Sequence, residues 1–124
     1  MSRLLIVDDE PRILSALKRC LRREDFEIET AENAAAARRV LETGTVDVVL
    51  SDHKMPGESG VELLAWVART QPKTARILMS GWTGEIPEPA LAAARLFEVI
   101  AKPWDEEALR ETIRDALSEP APRV

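Results

Sequence analysis

Five times along this chain a short apolar run of strand character gives way to a segment with apolar residues at helical spacing. That alternation constrains the fold more than any other feature. Strands separated by helical segments of this length pair in parallel, because each connection must cross over the sheet before the next strand begins. The strand runs are residues 3–7, 26–30, 46–51, 75–80 and 97–101. The first, RLLIV, is apolar throughout, as in a strand covered on both faces. The second sets Phe26, Ile28 and Thr30 against Glu27 and Glu29, the alternation of a half-exposed edge strand.

The helical segments carry start and stop signals. Residues 11–23 place Leu14, Leu17 and Leu21 on one face, widened by Ile13 and Cys20, and Pro11 suits a first turn. Asn33 caps an Ala-rich helix that runs to about residue 43, where Gly44 ends it. Residues 59–69 turn Val61, Leu64 and Val67 inward. A short helix at 88–95 follows a loop stiffened by Pro87 and Pro89. Asp105 caps a last helix to residue 118, with Glu106 and Glu107 in the turn where the helix dipole favours negative charge, and Leu109, Ile113 and Leu117 inward. The expected fold is α/β: a doubly wound, five-stranded parallel sheet of order 2-1-3-4-5 with helices on both faces, flavodoxin-like. Residues 1–118 form the domain, and 119–124 read as a linker-like tail.

A chain of 124 residues is the size of one domain and buries roughly two thirds of its unfolded surface, enough for a core without staples. No apolar run approaches the roughly 18 residues of a membrane helix, which argues against a membrane partner. The start, MSRLLIVDDE, turns acidic too early for a signal peptide, so a cytoplasmic location is expected. A net charge of −5 argues against direct nucleic acid binding, and RRE at 22–24 reads as a solvated helix end. Cys20, the one cysteine, forms no internal disulfide and belongs to a packed helix face.

In a parallel sheet all strands end at one edge, and ligands of doubly wound folds bind there, at the switch in strand order. After the first strand stand Asp8, Asp9 and Glu10; after the third, Asp52; the fourth ends on Ser80 and Gly81; after the fifth come Lys102 and Pro103. The order 2-1-3-4-5 makes the first and third strands neighbours, so Asp8, Asp9 and Asp52 are expected within a few ångströms. Two carboxylates about 4 Å apart repel by roughly 4 kcal/mol at an effective dielectric near 20. Lys102 offsets one of three charges, and a hard divalent cation held by oxygens, Mg²⁺ above all, suits the rest. A carboxylate can also act as a nucleophile toward phosphorus, a reaction that mainly needs in-line positioning and neutralised equatorial oxygens.

IVDDE, SDHKMPG, MSG and AKPW, in that order and at that spacing, resemble the receiver domain of bacterial two-component response regulators, over about residues 3–118. The resemblance implies that Asp52 is the phosphoacceptor. It implies that Asp9 and Asp52 ligate Mg²⁺ directly with the backbone carbonyl of Lys54, and Asp8 through water. Ser80 corresponds to the switch hydroxyl, Lys102 to the lysine that meets the phosphoryl group, and Gly81 lies beside them. Pro103 corresponds to a proline whose preceding bond is often cis. The implied donor is a phosphohistidine on a sensor histidine kinase or a phosphotransfer protein. The implied output is a covalently linked domain, a separate partner or a second copy, met through helix 4, strand 5 and helix 5.

The chain departs from the family at Val99, where receivers usually carry an aromatic that turns inward. Phe97 is expected on the same strand face, and Trp82 follows Ser80 by two. Signalling is therefore expected through Ser80 and the loop 81–89 without a flip at Val99. Helix 4, with Leu91, Ala92, Ala93 and Ala94, offers a small apolar surface beside strand 5 and Trp104. His53 reads as a bystander, while the Lys54 side chain overhangs the site. Two other readings differ in class. One is a receiver-like module working by constitutive contacts, against which the complete acidic set stands. The other is an aspartate-nucleophile phosphatase, against which stands His53-Lys54 in place of a second acid two residues on.

Overall fold

The computed structural model describes residues 1–118, so the tail expected at 119–124 lies outside the described residues. Strands β1 (Ser2–Val7), β2 (Phe26–Ala31), β3 (Val48–Asp52), β4 (Ala75–Ser80) and β5 (Glu98–Ala101) alternate with helices α1 (Pro11–Leu21), α2 (Ala34–Thr43), α3 (Gly60–Thr70), α4 (Glu88–Ala94) and α5 (Glu106–Ser118). All neighbouring strands are parallel, in the order β2-β1-β3-β4-β5.

Alternation along the central strands divides the core into two layers. Leu5, Val7, Val49 and Leu78 pack under α2, α3 and α4 with Leu41, Leu64 and Val67. Leu4, Ile6, Leu50 and Ile77 pack under α1 and α5 with Leu17, Leu21, Leu109 and Ile113. Local chemistry sets the helix ends. The Asn33 side chain accepts the Ala36 N–H, and Asp105 accepts that of Ala108, both at 2.8 Å. Ser59 and Glu62 form a reciprocal capping box at the start of α3.

Three residues face otherwise than expected. Thr30 is exposed, because a cavity of about 420 Å³ lies between it and the first turns of α1, and Ala31 is the residue that enters the core. Phe97 is buried with the α1/α5 layer, whereas Val99 packs on the α2/α3/α4 side. Regular pairing starts at Glu98, opposite Ile77, so Phe97 still belongs to the turn out of α4 and escapes the strand alternation. Ala94 is fully buried, leaving Ala92 and Ala93 as the exposed alanines of α4. The loop before α4 also holds a single 3₁₀ turn, Thr83–Glu85.

Arg76, at the start of β4, is 3 % exposed. Its guanidinium donates to the carbonyls of Thr74, Ala94 and Arg95, so its charge sits on the negative end of α4. Burial, then the nearby Arg95 charge, pulls its pKa down.

Candidate functional site

Strand register brings the expected residues together. Val7 pairs with Ser51 and Ser80 with Ala101, so Asp8 comes level with Asp52, and Lys102 follows directly beyond Ser80. The Lys102 N–H donates to the Ser80 carbonyl at 3.1 Å, which anchors the lysine's backbone to the end of β4. Its ammonium lies 2.8 Å from Asp52 Oδ1 and 3.3 Å from Asp8 Oδ2. Asp8, Asp9 and Asp52 each offer an oxygen within 4.8 Å of the others. Asp8 is 1 % and Asp52 9 % exposed, while Asp9 is half-buried. The Lys102–Pro103 peptide is cis.

The charge balance is unequal. Burial pushes the Asp8 carboxyl up, the Glu10 N–H pulls it down, the Asp52 charge adds to the rise, and the charge and hydrogen bond of Lys102 oppose it; the net direction is upward. Burial pulls the Lys102 ammonium down, but the hydrogen bond and charge of Asp52, with Asp8, outweigh it and hold its pKa above the ordinary lysine value. Three acids facing one cation leave negative charge for something else to neutralise. An all-oxygen donor set of this kind fits a hard divalent cation.

A cavity of about 350 Å³ opens over these groups. Ser80 is buried in its floor, and its hydroxyl accepts the Trp82 N–H at 3.2 Å. Gly81 is exposed at the rim. Trp82 is 67 % exposed, and its indole lies over Gly84, where a β-carbon would come within 2.5 Å of the ring nitrogen. The exposed Lys54 Nζ lies 3.4 Å from Glu85 Oε2, joining the loop after β3 to the loop after β4 across the mouth. Glu10 and His53 complete the wall. His53 Nδ1 is buried without a partner among the described residues; burial lowers the ring's pKa and Asp52 partly opposes that.

Gly60 was not singled out from the sequence. A β-carbon there would lie 1.9 Å from the Asp52 carbonyl oxygen, so α3 can start against the end of β3 only with glycine. Its N–H donates to the His53 carbonyl at 2.8 Å. A glycine following the cap Ser59 was the one available signal. Of the expected partner-face residues, Val99 is half-buried beside α4 and Pro103 is exposed. Trp104 is half-buried against the layer under α1 and α5.

Fold and site together define a doubly wound α/β module with an acidic, lysine-bearing centre at its switch point. Residues 4–114 match the family model described as the response regulator receiver domain, and the chain belongs to that family. It is 40 % identical over 115 residues to the hydrogenase transcriptional regulatory protein HoxA of Bradyrhizobium diazoefficiens, an alignment that takes in 92 % of this chain and 24 % of HoxA. The chain thus spans about a quarter of the length of such curated relatives. Among solved structures, a CheY-like receiver domain protein from Methanospirillum hungatei superposes with a TM-score of 0.90 at 30 % identity, covering 97 % of this chain and 96 % of that one. The response regulator TrrA of Thermotoga maritima, solved with Mg²⁺ and BeF, gives 0.84 at 32 % identity, covering 93 % and 98 %. TrrA has also been solved in complex with the histidine kinase ThkA.

Proposed function

We propose that this chain is a phosphoacceptor module of a two-component pathway. Asp52 takes a phosphoryl group from a phosphohistidine of a histidine kinase or phosphotransfer protein. A carboxylate oxygen of Asp52 attacks phosphorus, the P–N bond breaks, and its electron pair returns to the donor imidazole. The product is an acyl phosphate on Asp52, which water later hydrolyses to carboxylate and inorganic phosphate. No metabolite is turned over.

The observation that carries this reading is Lys102 Nζ at 2.8 Å from Asp52 Oδ1, inside a cluster of three carboxylates. Lys102 is placed to follow negative charge from the carboxylate to the incoming phosphoryl oxygens. The Ser80 hydroxyl, in the same cavity, supplies a donor for another oxygen. Mg²⁺ would be held by Asp9, Asp52 and the Lys54 carbonyl, with Asp8 through water. When bound it supplies further positive charge at the phosphoryl oxygens. Turning Ser80 toward a phosphoryl group releases the Trp82 N–H, which carries the change into the loop 81–89 and on to the α4–β5–α5 face.

The TrrA–ThkA complex supports a histidine kinase as donor, and the transcriptional regulators among the relatives support a linked output domain. A second copy on the α4–β5–α5 face is the alternative output. We assign the module to the cytoplasm, and its charge of −5 leaves nucleic acid contact to the output. Incubation with Mg²⁺ and a small acyl phosphate, read by intact mass, tests the reading. One added phosphoryl group is expected, lost in Asp52→Asn. No adduct at any Mg²⁺ concentration would leave a module that works by constitutive contacts.

A further inference from the structure

The loop between β3 and α3, residues 53–59, carries His53 and Lys54 of the cavity wall. Backbone bonds fix its ends. The His53 N–H donates to the Met79 carbonyl at 3.1 Å, and the His53 carbonyl accepts the Gly60 N–H at 2.8 Å. Side chains hold its middle. Met55 is buried in the layer under α2, α3 and α4. Glu58 reaches to α2, where its Oε2 accepts from Arg38 Nη2 at 2.5 Å. Arg38 in turn lies over the Trp66 ring of α3, its Cζ 5.1 Å from the ring centre. One guanidinium thus joins α2, α3 and the loop that bears Lys54.

Exposed ion pairs contribute little, because two long side chains must be ordered before they meet. This pair differs. Trp66 is half-buried against the core layer, so the planar guanidinium rests on a fixed ring. Arg38 Nε is buried with no partner among the described residues, so shape seats the arginine although one donor goes unmet. The Glu58 side chain is 23 % exposed. Neither residue lines the cavity over Asp52.

We propose that the Arg38–Glu58 pair, seated on Trp66, is a positioning latch for Mg²⁺: it fixes the loop whose Lys54 carbonyl serves the metal. This role rests on Asp9, Asp52 and Lys54 being the Mg²⁺ ligands, as proposed above. A backbone carbonyl cannot swing about a side-chain torsion as a carboxylate can, so the loop alone sets its place. Met55 holds the peptide that bears this carbonyl, and the latch holds the chain on the far side of Pro56 and Gly57. Groups that orient metal ligands change affinity without touching the ion. Charge separates a latch from general electrostatics. Coulomb effects alone make Glu58→Gln weaken Mg²⁺ binding, by removing an anion, and make Arg38→Met tighten it, by removing a cation. A latch makes both weaken it, since either change frees the loop.

The test is isothermal titration calorimetry of the full chain with MgCl₂ at constant ionic strength. The parent is compared with Arg38→Met, Glu58→Gln, the two together, and Asp9→Asn as the reference for a lost ligand. Each single variant of the pair is expected to weaken Mg²⁺ by at least about fivefold, and the double variant by about as much as the weaker-binding single. The rate of phosphoryl uptake from a small acyl phosphate at saturating Mg²⁺ stays within about twofold of the parent, because Asp52 and Lys102 are untouched. If Arg38→Met loses its far-UV circular dichroism, Arg38→Lys, which keeps the charge but not the planar fork, replaces it and is also expected to weaken Mg²⁺. Unmoved affinity in the folded variants, opposite shifts in the two singles, or losses that add in the double would each overturn the proposal while leaving the Mg²⁺ ligands as assigned. A parent that binds no better than Asp9→Asn would overturn that assignment and the latch with it.

Discussion

Asp8 is the carboxylate whose surroundings conflict most. It is almost fully buried and accepts from the Glu10 amide and from Lys102, yet it faces Asp52. Its pKa is raised, by burial first, so the folded chain holds its proton more tightly than the unfolded chain does. The charged form thus opposes folding at every pH above the folded value, and the penalty fades as pH falls through that value. Lys102 has the opposite sign. Burial pulls its pKa down and Asp52 with Asp8 more than restores it, so its contribution is complete below the ordinary lysine value and is lost as pH rises through the folded one. Near neutral pH, Asp8→Asn is therefore expected to stabilise the metal-free protein by about 1 kcal/mol, or about 3–5 °C in Tm, with the gain shrinking in acid. Lys102→Met, which leaves Asp8 and Asp52 facing each other without a cation, destabilises by about 1–3 kcal/mol. Urea titrations across pH read both. A destabilised Asp8→Asn would mean that Lys102 already balances the cluster.

The elements that hold these residues impose their own limits. α3 begins against the end of β3, with Gly60 filling the only space and Ser59 capping the turn. Gly60→Ala improves helix propensity by about 1 kcal/mol, yet it drives a β-carbon into the Asp52 carbonyl, where only backbone can yield. The expected outcome is a net loss of about 2 kcal/mol in urea unfolding and slower uptake of phosphoryl from an acyl phosphate. Ser59→Ala costs about 1 kcal/mol and leaves that rate unchanged, which separates capping from placement of Asp52. Equal stability of Gly60→Ala and its parent would show that α3 has room to shift. The loop after β4 makes a second case. Trp82 is the most exposed of the three tryptophans, and its N–H rests on the Ser80 hydroxyl. Phosphorylation is expected to change tryptophan emission, with the change lost in Trp82→Phe, while the NMR methyl signals of Val99 keep their contacts. A full change surviving in Trp82→Phe would place the response in another element.

At the scale of the molecule, the meeting of Asp8, Asp9, Asp52, Ser80 and Lys102 was legible because a parallel sheet ends every strand at one edge, so counting past each apolar run finds the site. Contacts between elements distant in sequence were not. Lys54 meeting Glu85, Arg76 folded onto the carbonyls of α4, and the clash that demands Gly60 all depend on how helices seat on the sheet, which no local period encodes. Phe97 was misplaced because period-two logic holds only inside the ladder, and the ladder begins one residue later. The topology that gathers the acids also concentrates their repulsion at one edge, so site occupancy and global stability are linked. A cation that binds only the folded chain adds RT ln(1 + [L]/Kd), about 2.7 kcal/mol at a hundredfold excess over Kd. Tm is therefore expected to climb with Mg²⁺ and to return to its starting value on chelation. At equal ionic strength NaCl leaves it lower, since screening acts weakly on buried charges. Asp9→Asn, which removes a half-buried carboxylate of the cluster without disturbing the Asp52–Lys102 contact, is expected to flatten the Mg²⁺ dependence. An equal climb in Asp9→Asn, or with NaCl alone, would mean that the acids respond to general screening rather than hold an ion.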